Sequence, residues 1–189
     1  MRKEFFILMI AVFFPLYTLS AQVDVQVPEG KIQIIDDFEN GNYWIWAGFD
    51  WDRYSGHKAS CGADLSKLYV TQGKYSMELL TESVKQGSNA VWFYDGKQDL
   101  SGGKYIVMDI YNASPYSINI SFVLQATDNW DWLETPRYSV PSGKHTVVYN
   151  VEYINEEFND VRRININANY DFFYNQDSSL FVDNIRLIK

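Results

Sequence analysis

The chain is poor in cysteine, in positive charge and in histidine, and each shortage removes a class of function. Cys61 is the only cysteine in 189 residues, so no internal disulfide is available and stability has to come from packing or a bound metal. A catalytic thiol would need a base, and His57 and His145 are the only histidines, so Cys61 reads as a small semi-buried hydrophobe. Lys and Arg number 16 against 24 Asp and Glu, for a net charge of −8. Without residues 1–21 the balance falls to −9, because Arg2, Lys3 and Glu4 leave together. Such a chain repels phosphate backbones and anionic lipids, which argues against nucleic acid or a membrane as partner. After the N-terminus no apolar run approaches the roughly 20 residues that a bilayer span requires. Helical periodicity is nearly absent as well.

What is present begins with a leader. Arg2 and Lys3 precede the run F-F-I-L-M-I-A-V-F-F, and Thr18-Leu19-Ser20-Ala21 supplies small residues for cleavage. This is the pattern of a secretory signal peptide over residues 1–21, and it predicts a secreted, periplasmic or cell-surface protein. Residues 22–30 read as a short lead-in and 31–189 as a single domain large enough for its own core.

Short runs rich in β-branched and aromatic residues recur along that domain, separated by Gly, Asn, Asp, Ser and Pro clusters. Strands are expected near 31–38, 75–82, 90–94, 104–111, 117–125, 136–140, 145–151, 162–168 and 179–188. An all-β chain of this length predicts a two-sheet antiparallel sandwich, a jelly roll, with one side of each strand facing the core. In K-Y-I-V-M-D-I-Y the inward set is Ile106, Met108 and Ile110, which leaves Asp109 and Tyr111 facing out. In R-R-I-N-I-N-A-N the inward set is Ile164, Ile166 and Ala168, and Asn165 and Asn167 belong to an outward amide row. The last strand is anomalous: alternation places Asp183 on the same side as Phe181, Ile185 and Leu187. A buried carboxylate needs a cation or a donor to offset its desolvation. Asp36, Asp37 and Glu39 end the first strand, and terminal strands are often neighbours in a sandwich, so these acids would suit a structural calcium. Arg186 or a turn N–H is the other way to satisfy Asp183.

Five of the six tryptophans fall in two polar segments, W-I-W-A-G-F-D-W-D-R-Y at 44–54 and T-D-N-W-D-W-L-E-T-P-R-Y at 127–138. A sugar ring has an apolar C–H face that packs on Trp or Tyr and a hydroxyl rim that needs paired donors and acceptors. Trp130, Asp131, Trp132, Glu134 and Arg137 supply that combination, and Trp51, Asp52 and Tyr54 offer a second set. The polar 127–135 stretch reads as a loop beside the strand that presents Asn119, Ser121 and Gln125.

In order, the segments I-I-D-D-F-E-N-G, G-K-Y-S-M, Y-I-V-M-D-I-Y-N, P-S-G-K-H-T-V-V-Y-N-V, F-N-D-V-R-R-I-N-I-N and L-F-V-D-N-I-R-L span nearly all of residues 31–189. Together they resemble extracellular jelly-roll carbohydrate-binding modules of the galactose-binding-like type, nearest to the family 11 group. The resemblance implies a structural calcium, Ca2+, between the first and last strands, held by Glu39 and Asp183 with backbone oxygens near Lys74, and Asp37 stands beside them. It also implies a polysaccharide or oligosaccharide bound across a concave sheet, neutral and β-glucan-like given the acidic charge. A module standing alone would serve as a glycan binder or as a subunit beside a separate carbohydrate-active enzyme or surface assembly. Two other classes stay open at this point: a structural or adhesion protein that binds protein through the same sandwich, and a jelly-roll glycosidase or lyase using Asp131 and Glu134 as acid and base.

Overall fold

The computed structural model describes residues 22–23, 26–41, 44–46, 60–84, 88–170 and 176–189. The signal segment and the candidates Trp51, Asp52 and Tyr54 lie outside the described residues. In chain order the strands are β1 (Gln22–Val23), β2 (Ile32–Asp36), β3 (Ile45–Trp46), β4 (Ser60–Ser66), β5 (Ser76–Val84) and β6 (Ser88–Gln98). They continue as β7 (Tyr105–Asn112), β8 (Ile118–Ala126), β9 (Asp131–Glu134), β10 (Tyr138–Val140) and β11 (Gly143–Asn150). A 3-10 helix over Glu152–Asp160 leads into β12 (Val161–Tyr170), and β13 (Gln176–Ile188) closes the chain.

Two antiparallel sheets face each other, as the alternating pattern requires. The first runs β1-β11-β7-β13-β5-β4, with β2 also paired to β13. The second runs β10-β8-β12-β6-β3, with β9 also paired to β8. Between them lies one continuous core, in which Ile106, Met108 and Ile110 from β7 meet Ile118, Ile120, Phe122 and Leu124 from β8. Each fully buried side chain of this size contributes about 1.5–3 kcal/mol. Trp92 sits in the same core, wholly buried, and its indole Nε1 donates to the Gly62 carbonyl at 2.9 Å. The lead-in is part of the fold: Gln22 and Val23 pair with Val148 and Val147, and Val27 packs on the outer side of the first sheet against Val107, Val148 and Ile188.

Three places depart from the sequence pattern. Residues 131–134, expected as loop, form β9 and pair with Val123–Ala126, because an edge strand buries only one side and tolerates polar residues on the other. Pro136 has no N–H to donate, so pairing along the β8 edge stops there and resumes at Tyr138 in β10. At this joint Thr135 saturates Phe122: its N–H donates to the Phe122 carbonyl at 2.9 Å, and its hydroxyl accepts the Phe122 N–H at 2.9 Å.

The third departure is in β13. Leu180, Val182, Ile185 and Leu187 face the core, and Phe181 and Asp183 do not. A register shift between Asp183 and Arg186, with Asn184 in the left-handed region at φ 51°, switches the alternation. Asp183 therefore faces outward, opposite Asp109, and is buried at 1% exposure by the loop at 67–75.

Candidate functional site

The outer side of the second sheet is built by register. Asn165 lies between Val123 and Phe93, Asn167 between Ser121 and Val91, and Asn169 between Asn119 and Asn89. On the far side of β8, Trp132 pairs with Gln125 and Glu134 with Val123, so both reach the same face. Asp131 and Leu133 take the opposite side of β9, where Leu133 packs on the core. The Asp131 carboxylate accepts the Thr127 hydroxyl at 2.5 Å, closing the turn before β9. Asp131 and Glu134, the pair conceivable as acid and base, are thus split across the two faces of one strand.

A hollow of about 510 Å3 opens on this face between Trp132, Glu134 and Arg137 on one side and Asn89, Asn167 and Asn169 on the other. Trp132 is half exposed. Its indole donates to Glu134 Oε2 at 3.0 Å, Ser121 donates to Oε1 at 2.6 Å, and Arg137 Nε lies 3.8 Å from Oε1. The ring is thereby held in one orientation, and the carboxylate charge is balanced by Arg137. Asn169 Nδ2 donates to Asn89 Oδ1 at 2.8 Å. Asn167 Oδ1 is buried and has no hydrogen-bond partner among the described residues. Asn165 is itself buried, with Nδ2 3.5 Å from Gln125 Oε1.

Trp130 stands at the end of the turn, exposed and at φ 60°. The Arg163 guanidinium lies between two rings, 4.0 Å from the Phe93 centroid and 5.1 Å from that of Trp130, while Asp95 accepts from it bidentately at 2.5 and 2.9 Å. Trp44, from the other Trp-rich segment, is a packing residue: 4% exposed, it donates its indole N–H to Asp36 Oδ2 at 2.9 Å. The sequence pattern starts this strand at residue 90, two positions after its first residue, Ser88, and so leaves Asn89 out. The outward parity of Val91 and Phe93 was the available signal.

Asp109 and Tyr111 do not join this site. They belong to β7, on the outer side of the other sheet. Asp109 accepts from Thr146 at 2.9 Å, Asn184 at 3.1 Å and Arg186 at 3.2 Å, and the Thr71 hydroxyl oxygen lies 3.2 Å from it.

The acids expected at a calcium site occupy a different kind of arrangement. Asp183 Oδ2 accepts the Thr71 N–H at 2.6 Å, the Thr71 hydroxyl at 2.9 Å and the Gln72 N–H at 2.9 Å, and Oδ1 accepts the Asn184 N–H at 2.7 Å. Glu39 Oε1 accepts the N–H groups of Lys74 and Tyr75 at 2.6 and 2.8 Å, and Asp37 Oδ1 the N–H of Glu39 at 3.2 Å. Calcium needs converging oxygens at its centre. Here N–H and O–H donors converge on the carboxylates, and among the described residues no three His, Cys, Asp or Glu side chains gather around one point. So placed, these carboxylates brace a loop through N–H and O–H donors. Gly73 belongs to this brace: at φ 75°, a Cβ there would meet Glu39 Cδ at 2.5 Å.

No protein-family model and no curated protein matches the sequence. Solved structures do match in fold. One, from a study of the promiscuous specificity of carbohydrate-binding modules of the β-sandwich superfamily, aligns at TM-score 0.64 and 12% identity over 82% of this chain. This chain spans 62% of that one. The family 11 carbohydrate-binding module of a Clostridium thermocellum cellulosomal cellulase aligns at TM-score 0.58 and 15% identity, covering 85% of this chain and 96% of that one. A family 28 module specific for non-crystalline cellulose aligns at TM-score 0.57 and 19% identity, covering 87% of this chain and all of its own. At these identities the likeness is one of fold, the two-sheet sandwich of carbohydrate-binding modules.

Proposed function

We propose that the protein binds a neutral polysaccharide or oligosaccharide of β-glucan type, without catalysing a reaction on it, on the outer face of the second sheet. The observation that carries this reading is Trp132, half exposed and locked by Glu134 at the edge of a hollow walled by three asparagines and Arg137. A rigid indole offers stacking area at low entropic cost, and amides with a balanced carboxylate–guanidinium pair offer donors and acceptors to hydroxyls without selecting for charge. Trp130 and Arg163 extend the surface past Trp132. The fold shared with carbohydrate-binding modules supports the same reading, as does the N-terminal segment, which we take as an export signal.

Affinity electrophoresis through gels containing β-glucan, xylan or mannan tests it. Retardation by one polymer is expected, and Trp132→Ala should weaken binding by about 1–3 kcal/mol, roughly 5- to 150-fold. If no polymer retards the protein, the glycan reading fails and the face is to be tested against protein partners.

A further inference from the structure

The outer side of the first sheet carries a second aromatic site, far in topology from Trp132. Tyr69, in the loop between β4 and β5, lies flat on Tyr111 of β7, with centroids 3.4 Å apart and planes inclined by 8°. Phe181 packs against Tyr69 at 4.8 Å and 58°. Tyr69 remains 37% exposed. Beside the pair opens a hollow of about 340 Å3, lined also by Thr71, Asp109, Lys144 and Thr146. That is near the lower end of the ~300–1,000 Å3 typical of small-molecule pockets, room for a mono- or disaccharide.

The loop that brings Tyr69 there is fixed in advance. Asp183 holds Thr71 and Gln72, Glu39 holds Lys74 and Tyr75, and Ser76 Oγ donates to the Leu68 carbonyl at 2.6 Å. Tyr69 itself adopts φ 53°, a conformation that a bulky residue keeps only when its surroundings enforce it. An acid brace of this extent is more than an idle surface loop requires, and it presents a ring, two threonine hydroxyls, a carboxylate and an ammonium to one hollow. Of the side chains lining the hollow, Asp109 and Lys144 carry opposite formal charges, and His145 stands beside them.

The geometry points to a second, independent binding site for a short neutral saccharide, seated on the Tyr69–Tyr111 pair and hydrogen-bonded by the Thr71, Asp109, Lys144 and Thr146 side chains. It rests on the proposed glycan function only for the class of ligand, and it takes a chain end or a free disaccharide where the Trp132 face takes a chain.

NMR titration of the protein with cellobiose, laminaribiose, mannobiose, xylobiose and lactose separates the two sites. Binding here is read from the Tyr69, Thr71 and Thr146 amides, and binding on the other sheet from the Trp132 indole N–H. At least one disaccharide is expected to shift the Tyr69 group along its own saturation curve, to do so equally in Trp132→Ala, and to lose the effect in Tyr69→Ala. Lys144→Ala, at an exposed position, should weaken it several-fold without disturbing the fold. No shift at Tyr69 with any of the five sugars, or a shift unchanged in both the Tyr69 and the Lys144 variants, overturns the inference. A silent Trp132 with a responsive Tyr69 leaves this site standing, and the proposed function is then decided by the polymer gels, in which loss of retardation by every polymer would sink it.

Discussion

Asn167 holds a carbonyl oxygen that is buried beside the Trp132 hollow without a hydrogen bond from the described residues. Such an atom costs about 1–3 kcal/mol to bury, a cost that a ligand hydroxyl donated into the hollow would recover. Asn167→Ala is therefore expected to leave the melting temperature unchanged or slightly raised, and to weaken glycan binding about tenfold. Paired thermal denaturation and affinity electrophoresis measure both; a variant that loses stability and keeps its affinity would mark the amide as structural. Asp183 is the opposite case. All its donors come from the protein, so Asp183→Asn should cost about 2–4 kcal/mol, roughly 5–15 °C in melting temperature, and speed hydrogen exchange at the Thr71 and Gln72 amides.

At the scale of elements, the turn before β9 is tied to the end of the 3-10 helix. The Thr127 N–H donates to the Asp160 carbonyl at 2.9 Å, Arg162 pairs with Asp128 and, at 3.1 Å, with Asp160, and Lys97 reaches Asp160 at 2.9 Å. Lys97 first and Arg162 second hold the Asp160 carboxyl below the usual aspartate range. A folded-state pKa below the unfolded one stabilises at pH values above about 4, and the contribution disappears as pH falls through the folded value. Asp160→Asn should accordingly lower the melting temperature by a few degrees at pH 7 and by little at pH 3; a gap that persists at pH 3 would mean the ion pairs are not its source. Alternation in the sequence made β7, β8 and β12 legible, including the amide row of the candidate site, because each buries one side along its whole length. It misread β13, where one left-handed residue exchanges the faces halfway, and it took β9 for a loop, because an edge strand pairs through its backbone whatever its side chains are. The exposure of Trp130 and Trp132 beside β8 was legible in the polar stretch that carries them; that Asp109 and Tyr111 face away from it depends on which sheet β7 enters, and no residue in β7 states that.

For the molecule as a whole, the two sheets are held by one core, and within the first sheet β2 lies on β13, with donors from the 67–75 loop filling Glu39 and Asp183. A chelator such as EDTA is thus expected to leave the melting curve unchanged, and a drop of several degrees, restored by added calcium, would show that the carboxylates rearrange around an ion. The split edge of the second sheet has one more consequence. β9 and β10 are four and three residues long, separated by Pro136, and together they cover β8, whose exposed backbone would otherwise run for nine residues. Neither short strand, nor the proline between them, offers a template long enough for a foreign strand to dock on. At that border the protein is guarded against edge-to-edge assembly into fibres.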